Sequence, residues 1–340
     1  MPRPKKVQDE IEHTDEAKLE ETKRNLLPTG IDVQALVDEV KGRYGKNEKA
    51  LADDLTTGDN IQLPDEDSDY VLSNTLRSWW SDLVGVRGIP FGRIVQIAGK
   101  SDSGKSTTAM AFMRAAQEAG VLVILWDAEK KFGIKRYKNY MGGDPNTLLV
   151  TRNKSILNGA KQVIQYIKVA KEQNPDVKIL IVWDSVGATL NEQEDDEGDD
   201  YSKQPGVTAK QVGWAMKKFN SVIERYRNLK TGKETIACLC INQVYQLIGS
   251  VGSKEKGGEQ LYYLSSVILQ LSRKKDLNRV TKGNKVKFGI VTRAKVRKNH
   301  LFDGEECIAE LDLVVSAGGI QLASDVKGKS DIVGWDDEED

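Results

Sequence analysis

The residues best suited to chemistry lie in one short run. Gly99, Lys100, Ser101, Asp102, Ser103, Gly104, Lys105 and Ser106 satisfy G-x-x-x-x-G-K-[ST] in full. The run follows the apolar stretch RIVQIA and opens the helical pattern STTAMAFMRAA, the strand–loop–helix setting that gives such a match meaning. Glycines let the backbone curl so that its N–H groups converge on phosphate oxygens, and the helix N-terminus adds positive potential. Lys105 is placed to reach the β- and γ-phosphates, and the Ser106 hydroxyl to ligate Mg²⁺, with Thr107 next on the same turn. These residues predict an ATP and Mg²⁺ site.

Three strand ends add polar groups. ILIVWD ends at Asp184, which would hold the magnesium's water shell. VLVILW leads to Asp127-Ala128-Glu129, where Glu129 could orient or activate a water. Taken alone, Glu129 reads equally well as a surface acid. CLCINQ ends at Gln243, an amide that could sense the γ-phosphate, and runs into VYQLIGSVGSKEKGGEQ. That segment, with Gly249, Gly252, Gly257, Gly258, Lys254 and Lys256, suits a loop on a nucleic-acid backbone, although a plain flexible loop explains it as well.

These groups must be carried by a sheet. Apolar runs at Ile94–Ala98, Val121–Asp127, Thr147–Val150, Ile179–Asp184, Ile236–Asn242, Val267–Ser272, Lys285–Ala294 and Glu310–Val315 predict strands. Helical patterns fall at Lys105–Ala119, Ile156–Glu172 and Ala209–Leu229, with a further helix from Ser73 to Leu83 whose Trp79 and Trp80 are read as core and interface packing. Continuous apolar strands suit a mainly parallel sheet flanked by helices, and the last strands, which follow one another without helices, add antiparallel members at one edge. The fold class is therefore α/β. Val33, Leu36, Val37, Val40 and Tyr44 form one helical face, which either covers its own domain or docks on a neighbouring subunit. The division expected is a flexible extension over 1–30, a helix and linker for subunit packing over 31–70, an ATPase core over 71–322, and an acidic, disordered tail over 323–340.

Composition narrows the class. The chain has 340 residues, 39% of them hydrophobic, and no apolar run near the ~18 residues a membrane helix needs. The N-terminus lacks a signal-type apolar segment, so the expected place is the cytoplasm. Cys238, Cys240 and Cys307 fit neither a disulfide framework nor a zinc site, and Cys238 and Cys240 alternate as on a buried strand. With 50 basic and 51 acidic residues the net charge is −1, so overall charge does not argue for DNA and local patches must decide.

In order and spacing, GIPFGRIVQIAGKSDSGKST, WDAEKKFGIKRY, IVWDSVGATL, CINQVYQLIG, KGGEQLYYLSSVILQLSR and SAGGI resemble the RecA family, in its bacterial and phage branches, from about Leu36 to Ile320. The resemblance implies an ATP-dependent recombinase that forms a helical filament on single-stranded DNA, pairs it with a homologous duplex, and holds ATP between subunits. It makes Glu129 the acid that activates water, Gln243 the γ-phosphate sensor, and Tyr137 the ring stacked on adenine, one residue further from Glu129 than the family spacing. Lys298, in AKVRKNH, becomes the cation offered to a neighbour's phosphates, while His300 stands where bacterial relatives carry a second lysine. The helix at Val33–Tyr44 resembles an element that packs on the adjacent subunit. Two DNA loops are implied, near Glu192–Lys210 and Tyr245–Glu259, offering Lys203, Lys210, Ile248, Lys254, Lys256, Gly257 and Gly258. The first also carries Glu192, Glu194, Asp195, Asp196, Glu197, Asp199 and Asp200, a run that repels phosphate. Two other readings stay open: an accessory DNA-dependent ATPase without strand exchange, and a filament scaffold without turnover.

Overall fold

The computed structural model describes residues 29–44, 70–71, 77–86, 88–191, 206–228, 233–246, 253–255, 258–281, 284–301, 307–327 and 332. Its centre is a parallel set of strands: β3 (Ile94–Gly99), β4 (Leu122–Asp127), β5 (Leu148–Thr151), β6 (Ile179–Asp184), β7 (Ile236–Gln246) and β9 (Val267–Thr281). Across the sheet they run β9-β3-β7-β6-β4-β5, every neighbouring pair parallel. Beyond β9 come β10 (Asn284–Asn299), β11 (Glu310–Ser316) and β12 (Gly319–Leu322), all antiparallel, and the short β8 (Ser253–Glu255) pairs antiparallel with β7. This is the α/β sheet with an antiparallel edge that the apolar runs predict.

The continuous apolar strands divide their side chains between two cores, as a period of two requires. On one face, Val95 and Ile97 of β3, Val123 and Leu125 of β4, and Leu180 and Val182 of β6 pack under α2 (Arg77–Val84) and α3 (Lys105–Glu118). Trp79 and Trp80 belong to that core and meet Phe112 edge-on, so both are spent on packing. The other face turns Trp126, Trp183, Cys238 and Cys240 toward α5 (Ile156–Gln173) and α6 (Val207–Arg225). Trp126 and Trp183 stack there at 4.2 Å, and the two cysteines are free and buried.

Helix α1 (Val33–Tyr44) uses its apolar face within its own chain. Leu36, Val37 and Val40 are buried in the second core against α5, and Arg43 pairs with Glu172. Any contact with a neighbouring subunit must therefore come from the helix's polar side. The tail expected from residue 323 is not wholly detached either: Ile332 is buried beside Val291 and Val314.

Strand β9 runs well past the stretch Val267–Ser272 that predicts it, pairing with the expected strand from Lys285 onward, while β10 continues past Ala294 to Asn299. Their outer halves are charged and are tied across strands by Lys287–Asp276 at 3.2 Å, Lys274–Asp312 at 2.7 Å and Arg293–Asp312 at 3.0 Å. Hydropathy foresees the returning arm from Lys285 but not the charged outer half of β9. Also unforeseen are α4 (Ile134–Asn139), α7 (Gly258–Leu264), and the pairing of β1 (Tyr70–Val71) with β2 (Ile89–Pro90). No helix among the described residues is long and apolar enough to cross a membrane.

Candidate functional site

The sheet brings the predicted groups to one rim. Gly99 ends β3 directly beside Gln243 of β7, and Asp184 ends β6 directly beside Asp127 of β4. Between β3 and α3 the backbone doubles back, with Asp102 at φ 58° and Gly104 at φ 95°. A Cβ on Gly99 would lie 2.4 Å from the Leu271 carbonyl oxygen and 2.6 Å from Ser103 Oγ, so only glycine fits there. From the antiparallel edge Thr292 Oγ1 donates to the Ser103 carbonyl at 3.0 Å and pins the loop.

The loop suits a phosphate chain. Ser103 Oγ is buried with no hydrogen-bond partner. Lys105 is also buried, donating to the Lys100 carbonyl at 2.6 Å, and desolvation holds its ammonium below the ordinary lysine range despite nearby Asp184, Glu129 and Asp102. A buried cation with only a carbonyl to bond is poised for an anion. Asp184 is pushed up to about 6 by desolvation, against the pull of a hydrogen bond from Ser106 and the charge of Lys105. Ser106 and Asp184 thus lie within hydrogen-bond reach of each other, two oxygens that could hold a metal ion. No cluster of three or more His, Cys, Asp or Glu fit to hold a metal occurs among the described residues. A magnesium ion would complete its shell from phosphate and water, as that ion commonly does.

Glu129 is held from three sides. Its Oε1 accepts from Ser185 Oγ at 2.7 Å and from Gln243 Nε2 at 2.8 Å, while Oε2 pairs with Lys131 at 2.9 Å. Burial pushes the carboxyl up, but the bonds from Ser185, Lys131 and Gln243 outweigh it and keep the group below its usual value. The turn carrying Glu129 is shaped by Asp127, whose carboxylate accepts the Lys131 N–H at 3.0 Å and the Phe132 N–H at 3.2 Å. Ser185 and Lys131 were invisible as site residues, since a serine after a strand end and a lysine in a turn have many ordinary explanations. Only the fold carries them to Glu129.

Tyr137 lies in the core. Its side chain is fully buried, its hydroxyl donates to Gln117 Oε1 at 2.7 Å, and Phe132 lies 5.3 Å away ring to ring. The residue before it, Arg136, donates to Thr107 Oγ1 at 2.8 Å on the first turns of α3 and to the Ser316 carbonyl at 2.9 Å.

The remaining predicted residues lie elsewhere. Lys298, on β10, donates to the carbonyls of Tyr262 and Tyr263 at 2.7 and 3.1 Å and sits over the Tyr262 ring. Lys210 is on the first turn of α6, whose start is tied to the other side of the first loop by Asn191 Nδ2 donating to Thr208 Oγ1 at 2.8 Å. Gly258 opens α7 at φ 73°, and a Cβ there would lie 2.9 Å from Ala209 Cβ. The far ends of the two expected DNA loops therefore abut. Lys254 is on β8, opposite Tyr245 of β7, while Lys203, Ile248, Lys256 and Gly257 lie outside the described residues, as does residue range 192–205 with its acidic run.

The family profile described as the RecA N-terminal domain matches residues 55–320. The chain belongs to the RecA family. It is 30% identical over 269 residues to Protein RecA of Nautilia profundicola, covering 77% of this chain and 70% of that one. Protein RecA of Crocosphaera subtropica is 31% identical over 257 residues, covering 74% and 68%. Protein RecA of Cytophaga hutchinsonii is 30% identical over 295 residues, covering 84% and 73%. This RecA-family core thus accounts for the sheet and both sides of the nucleotide loop.

Proposed function

We propose that this chain is an ATP-dependent DNA recombinase: a DNA-dependent ATPase that forms a helical filament on single-stranded DNA and promotes pairing and strand exchange with a homologous duplex. The observation that carries the reading is the bond between Gln243 and Glu129. It joins the residue assigned to water activation with the strand that leads directly into the second DNA loop. Nucleotide and DNA would thereby be read by one contact.

In this reading Gly99, Ser101, Asp102, Ser103 and Gly104 wrap the phosphates, and Lys105 exchanges the Lys100 carbonyl for β- and γ-oxygens. Mg²⁺, when bound, would be held by Ser106 directly and by Asp184 through water, and would neutralise phosphate charge. Glu129 orients the attacking water and takes up its proton. Gln243 turns from Glu129 toward the γ-phosphate and draws the second loop with it. Lys298 faces the phosphates of a neighbouring subunit, so the filament completes each ATP site. Lys203, Lys210, Ile248, Lys254, Lys256, Gly257 and Gly258 line the path of the DNA strand. Residues 71–322 form the working core, the segments before and after it serve assembly and solubility, and the protein acts in the cytoplasm.

The test is ATP hydrolysis with and without single-stranded DNA at low and high salt. Salt-sensitive stimulation supports coupling of the two sites. Hydrolysis indifferent to DNA would defeat the recombinase reading. The acidic run Glu192–Asp200 favours one second reading, an accessory ATPase that engages DNA weakly and exchanges no strands. Strand exchange by the purified protein would exclude it.

A further inference from the structure

The ammonium of Lys131 lies 2.9 Å from Glu129 Oε2, yet the Lys131 side chain is 77% exposed. An ion pair with so much water on one partner adds little stability and opens at little cost. The turn nevertheless takes trouble to form it. Lys130 adopts φ 55°, in the left-handed region that a residue with a Cβ enters only against strain. Asp127 holds that conformation, accepting the Lys131 N–H at 3.0 Å and the Phe132 N–H at 3.2 Å, and is itself anchored by Arg152 at 3.4 Å. A strained reversal fixed from a strand end is a costly way to make a surface ion pair, and an economical way to aim a mobile cation.

The surroundings of Lys131 say where it is aimed. The bond to Glu129, then that carboxylate's charge, hold its ammonium above the ordinary lysine range, and Asp184 and Asp102 add to the effect. Lys105, held down by desolvation, feels the same three acids. The two lysines therefore bracket one acidic cleft, Lys105 from its buried floor and Lys131 from its solvent mouth. In the proposed reading a triphosphate seated on Lys105 brings its terminal group to Glu129. That group carries more negative charge than a carboxylate, so an ammonium free to move transfers to it. The transfer uncovers Glu129 Oε2, while Ser185 keeps its hold on Oε1 at 2.7 Å.

We propose that Lys131 is a catalytic cation that leaves Glu129 for the γ-phosphate of the bound nucleotide, steadying the charge there and freeing the carboxylate for water. The proposal rests on the nucleotide-loop reading above. Its probes are ADP and the β,γ-imido analogue of ATP, titrated by calorimetry with magnesium against the full-length protein and its variants. Lys131→Ala should bind the imido analogue about ten-fold more weakly, the worth of one hydrogen bond to a charged group, and bind ADP as the wild type does. Its turnover at saturating ATP should fall by about ten-fold or more, and Lys131→Arg should recover most of both losses. Thermal melting checks the fold, and Lys131→Gln replaces any Lys131→Ala protein that melts early. Undiminished affinity for the imido analogue overturns the proposal, and so does an equal loss of ADP, which has no γ-phosphate to lose. Turnover that stays level or rises in Lys131→Ala also overturns it, since Lys131 would then only cover Glu129. Lys105→Ala separates the two readings: it should lose both probes, and normal binding of both would remove the nucleotide-loop reading and this proposal with it.

Discussion

The side-chain amide of Gln243 donates to the carboxylate of Glu129 at 2.8 Å, although strand β6 separates the two strands that carry them. Each residue thereby occupies the group the other would need for nucleotide chemistry. In the proposed reading the contact is a closed state that a γ-phosphate and its attacking water would open, so that hydrolysis and loop position would be two readings of one equilibrium.

The two partners should therefore fail differently. Glu129→Gln should bind ATP with unchanged affinity while turnover falls by about 10²–10⁴-fold, the usual loss when a positioned base is removed. Gln243→Ala should keep most of its DNA-independent turnover and lose the stimulation by single-stranded DNA. Phosphate release measured with and without DNA separates these outcomes. Full stimulation in Gln243→Ala would break the proposed link.

Ser185 should act through Glu129 as a positioning residue. Its hydroxyl supplies one of the two bonds on Glu129 Oε1. Ser185→Ala should lower kcat by roughly ten-fold, the worth of one hydrogen bond to a charged group, with KM for ATP unaltered. Ser185→Thr keeps a hydroxyl and should restore most of the rate. A fall shared equally by both variants, or a rise in KM, would point to simple structural damage.

What was legible from sequence follows from where local pattern and tertiary contact coincide. Helix α1 and strand β6 lie where their apolar patterns place them, because period and burial there report the same thing. The tight turn between β3 and α3 was legible because its glycines answer to the backbone alone. The outer half of β9 beyond Ser272 was not, since cross-strand ion pairs such as Lys287–Asp276 hold polar residues in strands. Tyr137 shows a finer limit: whether its ring turns inward against Phe132 and Gln117 is decided by tertiary packing and not by position along the chain. Ser185 and Lys131 belong to the Glu129 network through contacts that no local pattern encodes.

Glycine requirements can be separated by position. Gly99→Ala forces a methyl against the Leu271 carbonyl and Ser103 Oγ, so it should cost about 1–3 kcal/mol of stability and sharply weaken ATP binding. Gly206→Ala, at the start of α6, meets no atom within 4 Å and should be neutral or slightly stabilising. Paired melting curves and ATP titrations check both. A Gly99→Ala protein that melts and binds like the wild type would mean the loop is wider than described.

Asp184 makes the sharpest prediction in pH. Its folded value of about 6 lies above the ordinary 3.8, so the ionised form is the one the fold disfavours. The stability this group contributes is therefore intact below pH 3.8 and is lost as pH rises through about 6. Asp184→Asn, which cannot ionise, should melt a few degrees above the nucleotide-free wild type near neutral pH, the gap closing as pH falls through 6 toward 4. Magnesium-dependent ATP binding should show the opposite face of the same group. In the wild type it should strengthen as pH rises through about 6 and the carboxylate forms, whereas in Asp184→Asn it should be weak and flat across that window. Melting curves and ATP titrations over the same pH series test both. A constant stability difference between the two proteins across that series would show that Asp184 is not the desolvated carboxyl at this site.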